Sequence, residues 1–159
     1  MRKIESSAGG ERGYAYNAGV AVIFGKTVLL GKRIEVYEGA PVPFGGYWSV
    51  FGGAAGKRES PYMAAQRELF EETQIDVSPG SLRFIKTFPG DNSEFAFYVC
   101  EMDYMPSPVL NFEHTECGWF DINSLETFGG KIDSKIVECI DIYRRMKNNE
   151  YTHSTEDNS

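Results

Sequence analysis

The chain has 159 residues and a formal net charge of −7, with 42% hydrophobic and 25% charged residues. That length suits one domain with a core of its own, needing no staples. The acidic balance argues against a protein that coats long nucleic acid, which needs a cationic footprint. It leaves room for a small nucleotide whose charge a cation offsets locally. Three widely spaced cysteines, Cys100, Cys117 and Cys139, form no CxxC pair. They read as reduced thiols of a cytoplasmic protein rather than a zinc site or disulfide framework. No apolar run is long enough for a signal peptide or membrane span.

In chain order, residues 1–13 are polar and glycine-rich and read as a flexible arm. The stretch from Tyr14 to Phe24 is rich in β-branched and aromatic residues, and Lys26 to Arg33 follows Gly25. Together they predict two strands joined at Gly25-Lys26. Ile34 to Gly46 holds two prolines and three glycines and reads as a long loop bordering a pocket. Tyr47 to Phe51 is a short strand. Ser60 as N-cap and Pro61 at the first helical position begin a helix that runs to Thr73. Two strands follow, Ser81 to Phe88 and Ser93 to Met102, with a turn at Pro89 to Asn92. Asp103 to Thr115 is a loop with Pro106 and Pro108, and Glu116 opens a further strand. Asp133 to Asn149 is a second amphipathic helix, with Ile136, Ile140 and Tyr143 on one face. Residues 150–159 read as a flexible tail, which leaves one domain over 14–149.

The first helix carries the unusual chemistry. Stepping about 100 degrees per residue, Glu68, Glu72 and Glu71 fall in one arc roughly 100 degrees wide. Arg67 stands at its border. Ala65, Leu69, Tyr62, Phe70 and Met63 form the opposite arc and are expected to pack on a sheet. Like charges three and four residues apart repel by a few tenths of a kcal/mol. The helix C-terminus, itself partly negative, adds to the cost. A solvated charged face would mix signs; this one does not. The preceding segment supplies Gly52, Gly53 and Gly56, then Glu59. Glycines there let a ligand approach the main chain. Clustered carboxylates beside a backbone carbonyl suit a hard divalent cation.

The segment from Gly53 to Ile75 resembles the signature of the Nudix hydrolases: glycine, five residues, glutamate, seven residues, then Arg-Glu-apolar-any-Glu-Glu-any-Gly-apolar. Gly53, Glu59, Arg67, Glu68, Leu69, Glu71, Glu72 and Ile75 match in register, and Gln74 replaces the usual glycine. The flanks are similar to the family too, so the resemblance covers most of Tyr14 to Lys147. It implies an α/β fold of the α+β kind: an α/β/α sandwich with a mixed sheet and a loop–helix–loop catalytic motif. It also implies Mg²⁺- or Mn²⁺-dependent hydrolysis of a nucleoside diphosphate derivative with release of a nucleoside monophosphate. Nucleotide sugars, ADP-ribose, dinucleoside polyphosphates and nucleoside triphosphates all qualify.

By match of position, Glu68, Glu71 and Glu72 would be metal ligands, with the Gly52 carbonyl beside them. Arg67 would orient Glu71 or pair with Glu59, and Glu59 would hold the loop and join a second metal. The general base would come from the signature or from a late loop. Glu113 is the first late-loop candidate and Glu116 the second, while the adjacent His114 reads as an exposed loop residue. Arg33 and Lys32 end the second strand within reach of phosphates. Phe44 and Tyr47, beside glycines in the long loop, are the rings placed to stack on a base, whereas Tyr16, Trp48 and Trp119 read as packing. The expected partner is a small nucleotide derivative, with no membrane and no long nucleic acid, and homodimers are common in the family. Two alternatives stay open. A non-catalytic Nudix-like sensor is disfavoured by the full set of signature acids, and an RNA 5′-pyrophosphohydrolase by the acidic balance. Gln74 lies just past the helix end, where glycine's left-handed conformation is the usual way to close the turn.

Overall fold

The computed structural model describes the backbone of residues 15–157 and the side chains of 15–151. The expected N-terminal arm lies outside the described residues. β1 (Ala15–Phe24) and β2 (Thr27–Arg33) form the expected hairpin, with Gly25 at φ +58° in the turn. They pair only from Val22 to Phe24 and then diverge. The segment read as a loop over 34–46 holds a small hairpin of its own, β3 (Val36–Tyr37) and β4 (Ala40–Pro41).

The gap between β1 and β2 is filled by one segment that changes partner. Sequence predicts a single strand over 47–51. The structure instead gives β5 (Trp48–Ser49), paired with β2, and β6 (Phe51–Ala54), paired with β1. The switch falls at Val50, because a segment lying in a fork meets β2 first and β1 second. α1 (Pro61–Thr73) follows, with Ser60 Oγ accepting from Met63 N–H at 3.1 Å. β7 (Leu82–Gly90) and β8 (Ser93–Met102) pair through Pro89 and Gly90, so the turn is tighter than the expected four residues. β9 (His114–Asp121) begins two residues before the expected Glu116 and pairs with β2. α2 (Ser134–Asp157) continues past the tail boundary expected at 150.

The result is a seven-stranded mixed sheet in which β8 runs parallel to β1. Strand alternation divides the core. Ala18, Val20 and Val22 of β1 pack with Ala64, Ala65 and Leu69 of α1. Ala21 and Ile23 pack with Ile136, Cys139, Ile140 and Tyr143 of α2. This is the expected sandwich, one helix on each face. Each fully buried large apolar side chain, Phe51, Phe97, Leu29 and Leu69 among them, contributes roughly 1.5–3 kcal/mol. Cys100, Cys117 and Cys139 are free thiols, as expected. Among the described residues no helix is long and apolar enough to cross a membrane.

Candidate active site

The acidic face of α1 points inward. Glu68 and Glu72 are 1% and 0% exposed, in the same stripe as Ala64, Ala65 and Leu69. Met63 and Phe70, expected on the sheet-packing side, are instead 56% and 50% exposed. The helix therefore inverts part of the hydrophobic pattern, spending core positions on carboxylates. Glycines make the room. A Cβ on Gly53 would lie 2.6 Å from the Glu68 carboxyl carbon, and one on Gly52 would lie 2.2 Å from the Ala18 carbonyl oxygen. Gly52 N–H donates to Glu72 Oε1 at 2.8 Å, tying the paired-glycine strand directly to the helix.

Arg67 makes both expected pairings at once. Its Nε and Nη2 grip Glu59 at 2.7 and 2.8 Å, and its Nη1 donates to Glu68 at 3.0 Å and Glu71 at 3.1 Å. Nη2 also donates to the Ala54 carbonyl at 3.0 Å. Its pKa is raised first by the Glu59 hydrogen bonds, with Glu71 and Glu68 adding to them. Glu59 in turn accepts from Gly56 N–H at 3.0 Å. Arg67 and Glu59 thus brace loop, strand and helix together. Glu71, about one-third exposed, is held at the rim of this brace.

Glu113 arrives from the far side, on the loop before β9. It is 5% exposed, and a ligand oxygen from each of Glu68, Glu72 and Glu113 falls within 4.8 Å of the others. Its position is set by the Ile34 N–H donating to its carbonyl at 3.0 Å, and by its own N–H donating to Asn111 Oδ1 at 2.9 Å. The Glu72 carboxyl is pushed well above the usual carboxylate range, chiefly by burial, then by Glu113 and Glu68, against the opposing Gly52 N–H. His114 corrects the sequence reading. It is buried rather than exposed, with its ring 4.8 Å from Phe51 and its Nδ1 3.9 Å from Glu72 Oε2. Burial lowers its pKa to about 4, so it is neutral.

The donor set fits a hard divalent cation. Three buried carboxylates converge, all ligand atoms are oxygens, and Glu72 Oε2 is buried without a hydrogen-bond partner. Without a cation the three carboxylates repel one another; with one, the repulsion becomes attraction.

A cavity of about 750 Å³ opens over this cluster. Glu68, Glu113 and Arg67 line it, as do Arg33, Phe44 and Tyr47 from the sequence-predicted set. Phe44 stands at φ +59° with its ring edge-to-face on Tyr47 at 5.5 Å. Lys32 does not line the cavity. Its Nζ lies 3.6 Å from Glu116, whose side chain is 57% exposed, so both face away from the cluster. Trp48 packs on Phe120 and Phe128, and Trp119 on Phe24, as expected of core rings. Asn17 and Ser93 also line the cavity, and no pattern in the sequence singled them out.

A mixed sheet between two helices, with a paired-glycine strand feeding an acid-bearing helix, defines a Nudix fold. A family model described as NUDIX domain matches residues 13–138, and the chain belongs to the Nudix hydrolase family. Similar solved structures include a MutT protein from Methanosarcina mazei Go1, at 21% identity and TM-score 0.67, covering 86% of this chain and 97% of that one. A mutT/nudix family protein from Listeria innocua is 22% identical, with TM-score 0.66 over 88% of this chain and 98% of its own. A C. elegans Ap4A hydrolase binary complex matches at 16% identity and TM-score 0.62, covering 84% and 98%. These TM-scores establish the shared fold. No curated protein matches the chain.

Proposed function

We propose that the chain is a Mg²⁺- or Mn²⁺-dependent hydrolase that cleaves the phosphoric anhydride linkage of a nucleoside diphosphate derivative and releases a nucleoside monophosphate. The observation that carries the reading is the buried trio Glu68, Glu72 and Glu113 at the foot of the cavity. Glu68 and Glu72 would hold the cation, with Glu71 completing the acidic rim. A bound divalent cation supplies charge neutralisation at phosphate oxygens and lowers the pKa of water.

The remaining work belongs to the chain. Arg67, already saturated by Glu59, Glu68 and Glu71, keeps the carboxylates in place rather than binding substrate. Glu113 lines both the trio and the cavity, where its carboxylate accepts the proton of the attacking water. Arg33 contacts phosphate, and Phe44 and Tyr47 bound the outer part of the pocket. Gly52 and Gly53 admit phosphate oxygens close to the main chain. Displacement at phosphorus then depends on positioning and electrostatics.

The test is direct. The protein is mixed with a panel of nucleoside diphosphate derivatives and Mg²⁺, and nucleoside monophosphate release is followed with and without EDTA. Chelator-sensitive release is expected. Binding of these compounds without any hydrolysis would instead favour a nucleotide sensor and defeat this reading.

A further inference from the structure

The two ends of the cavity differ in charge, and the difference bears on what is joined to the nucleotide. Arg33 sits on β2 and Ser93 on β8, with the β5–β6 segment and β1 between them. Three strand spacings separate the two residues, roughly 14 Å. Gly52 and Gly53, beside Glu68, lie in the middle.

The β8 end is polar and carries no cation: Glu94 of β8 lines the cavity here beside Asn17 and Ser93, so its charge disfavours phosphate at this end. Asn17 and Ser93 alternate onto the α2 face of the sheet, the face shared by Ala21, Ile23 and Phe97. Both line the cavity, and neither side chain has a hydrogen-bond or ion-pair partner among the described residues. Phe95 closes the floor so tightly over Gly19 that a Cβ there would come within 2.8 Å of its ring. No lysine or arginine lines this end.

The β2 end is cationic. Arg33 lines the cavity with its Nε buried and unpartnered, and it has no ion pair among the described residues. Lys135 joins it from α2, its Nζ 5.8 Å from the Phe44 ring centroid. Asp133 is also here, its Oδ1 accepting from the Lys135 N–H at 2.9 Å, so Arg33 and Lys135 together outweigh its single negative charge.

We propose that the substrate is a nucleoside polyphosphate with three or more phosphates, bound in one direction. The base lies against Asn17, Ser93 and Phe95, and the phosphates beyond the cleaved linkage lie on Arg33 and Lys135. This rests on the phosphohydrolase reading above. An amide and a hydroxyl, each both donor and acceptor, match a base edge, and an aromatic floor matches its face. A partly buried guanidinium without a counter-ion is costly, and phosphate relieves it with paired hydrogen bonds. A neutral sugar at that end would leave the charge unpaired. In the reaction, water oxygen bonds to the phosphorus next to the nucleoside and the anhydride P–O bond breaks. The departing phosphate group leaves with that bond's electron pair, and water's proton passes through Glu113 to the products.

The experiment compares a nucleoside triphosphate, a dinucleoside tetraphosphate and a nucleoside diphosphate hexose carrying the same base. At least one polyphosphate should exceed the hexose compound in kcat/KM by about tenfold or more, the worth of one charge-assisted hydrogen bond. Arg33→Ala should cost the polyphosphate about tenfold and the hexose compound less than about threefold. Arg33→Lys, a milder change, should fall between, with melting temperature recorded for both variants. Asn17→Ala should lower all three compounds alike, because they share the nucleoside. Phe44→Ala separates the sources: a loss confined to the dinucleoside compound means its second base rests on the rim. Preference for the hexose compound, or an equal loss on all compounds in Arg33→Ala and Arg33→Lys, overturns this inference alone. Hydrolysis of none of the three defeats the phosphohydrolase reading instead.

Discussion

α1 and α2 cover opposite faces of one sheet, yet they use their core-facing stripes differently. α2 buries Ile136, Cys139, Ile140 and Tyr143, an apolar row that the helical period predicts. α1 buries Ala64, Ala65 and Leu69, and places Glu68 and Glu72 among them, while Met63 and Phe70 face solvent. The second helix contributes stability through hydrophobic transfer. The first forgoes part of that gain to hold charge out of water, which is favourable only while the charge is matched. Arg67 and the Gly52 N–H match some of it. The unpartnered Glu72 Oε2 marks what they leave over.

The strongest way to break this contrast is Glu72→Gln. The amide keeps the Gly52 contact through its oxygen and removes a ligand. Turnover should fall by several orders of magnitude, while the metal-free protein should melt a few degrees higher, since one buried charge is gone. The sign follows from the raised pKa of the Glu72 carboxyl. A group whose pKa rises on folding favours the fold below its unfolded pKa, and that contribution fades as pH rises through the folded value. The gain from glutamine should therefore be present at neutral pH and shrink in acid. Rates and melting curves measured together check both halves. Near-normal turnover would remove the metal role of Glu72.

Glu113→Gln comes next. As a proton acceptor Glu113 should be worth about 10²–10⁴ in kcat, with substrate affinity changed much less. Single-turnover rates set against substrate titrations separate the two. If Glu116→Gln has this effect instead, the assignment fails; the exposed Glu116 paired with Lys32 leads us to expect almost no change.

Ile140→Ala sharpens the comparison from the other helix. Ile140 is 1% exposed in the α2 cluster, and its truncation should destabilise by about 2–5 kcal/mol. The rise in melting temperature on adding Mg²⁺ or Mn²⁺, a mass-action effect of binding to the folded state alone, should survive in this variant. In Glu68→Gln it should shrink. Equal metal responses in the two variants would separate the trio from the metal.

Most of the frame was legible in the sequence because it is written locally. The Ser60-Pro61 helix start, the Gly25 turn and the Ile136–Ile140–Tyr143 stripe each declare themselves within a few residues. The acids of α1 were legible for the same reason, and their burial was not. Period and charge together predict a front facing outward, and only the glycines of β6 reveal that the sheet has been cut back to receive carboxylates. What depends on distant pairing was hidden. The switch of partner at Val50 needs the fork between β1 and β2. The burial of His114 needs Phe51 beside it and the bare Gly31. Asn17 and Ser93 are ordinary polar residues on strands, with no spacing to flag them; only the parallel pairing of β1 with β8 brings them to one end of the cavity.

The smallest expected effect concerns the end of α1, where the chain departs from the family's glycine. Gln74 closes the helix in the left-handed region, at φ 61° and ψ 15°, and its N–H donates to the Phe70 carbonyl at 2.7 Å. The cap is therefore present without the residue that suits it. A non-glycine side chain there costs about 1–2 kcal/mol. Glycine would remove that strain but loosen the unfolded chain, giving back about 0.4–1 kcal/mol. The difference leaves Gln74→Gly more stable by between about 0 and about 1.6 kcal/mol. Thr73 bounds the effect, since its hydroxyl already accepts from Ile75 N–H at 3.1 Å and donates to the Leu69 carbonyl at 2.6 Å. Those bonds hold the chain reversal whichever residue stands at 74, so the glycine gain acts on backbone strain alone and turnover stays unchanged. Urea unfolding of the two forms, at matched slope, measures the difference. A less stable glycine variant would mean that the Gln74 side chain makes a contact outweighing its strain. A changed rate would mean that the cap helps aim Glu71 and Glu72, one turn back on the same helix.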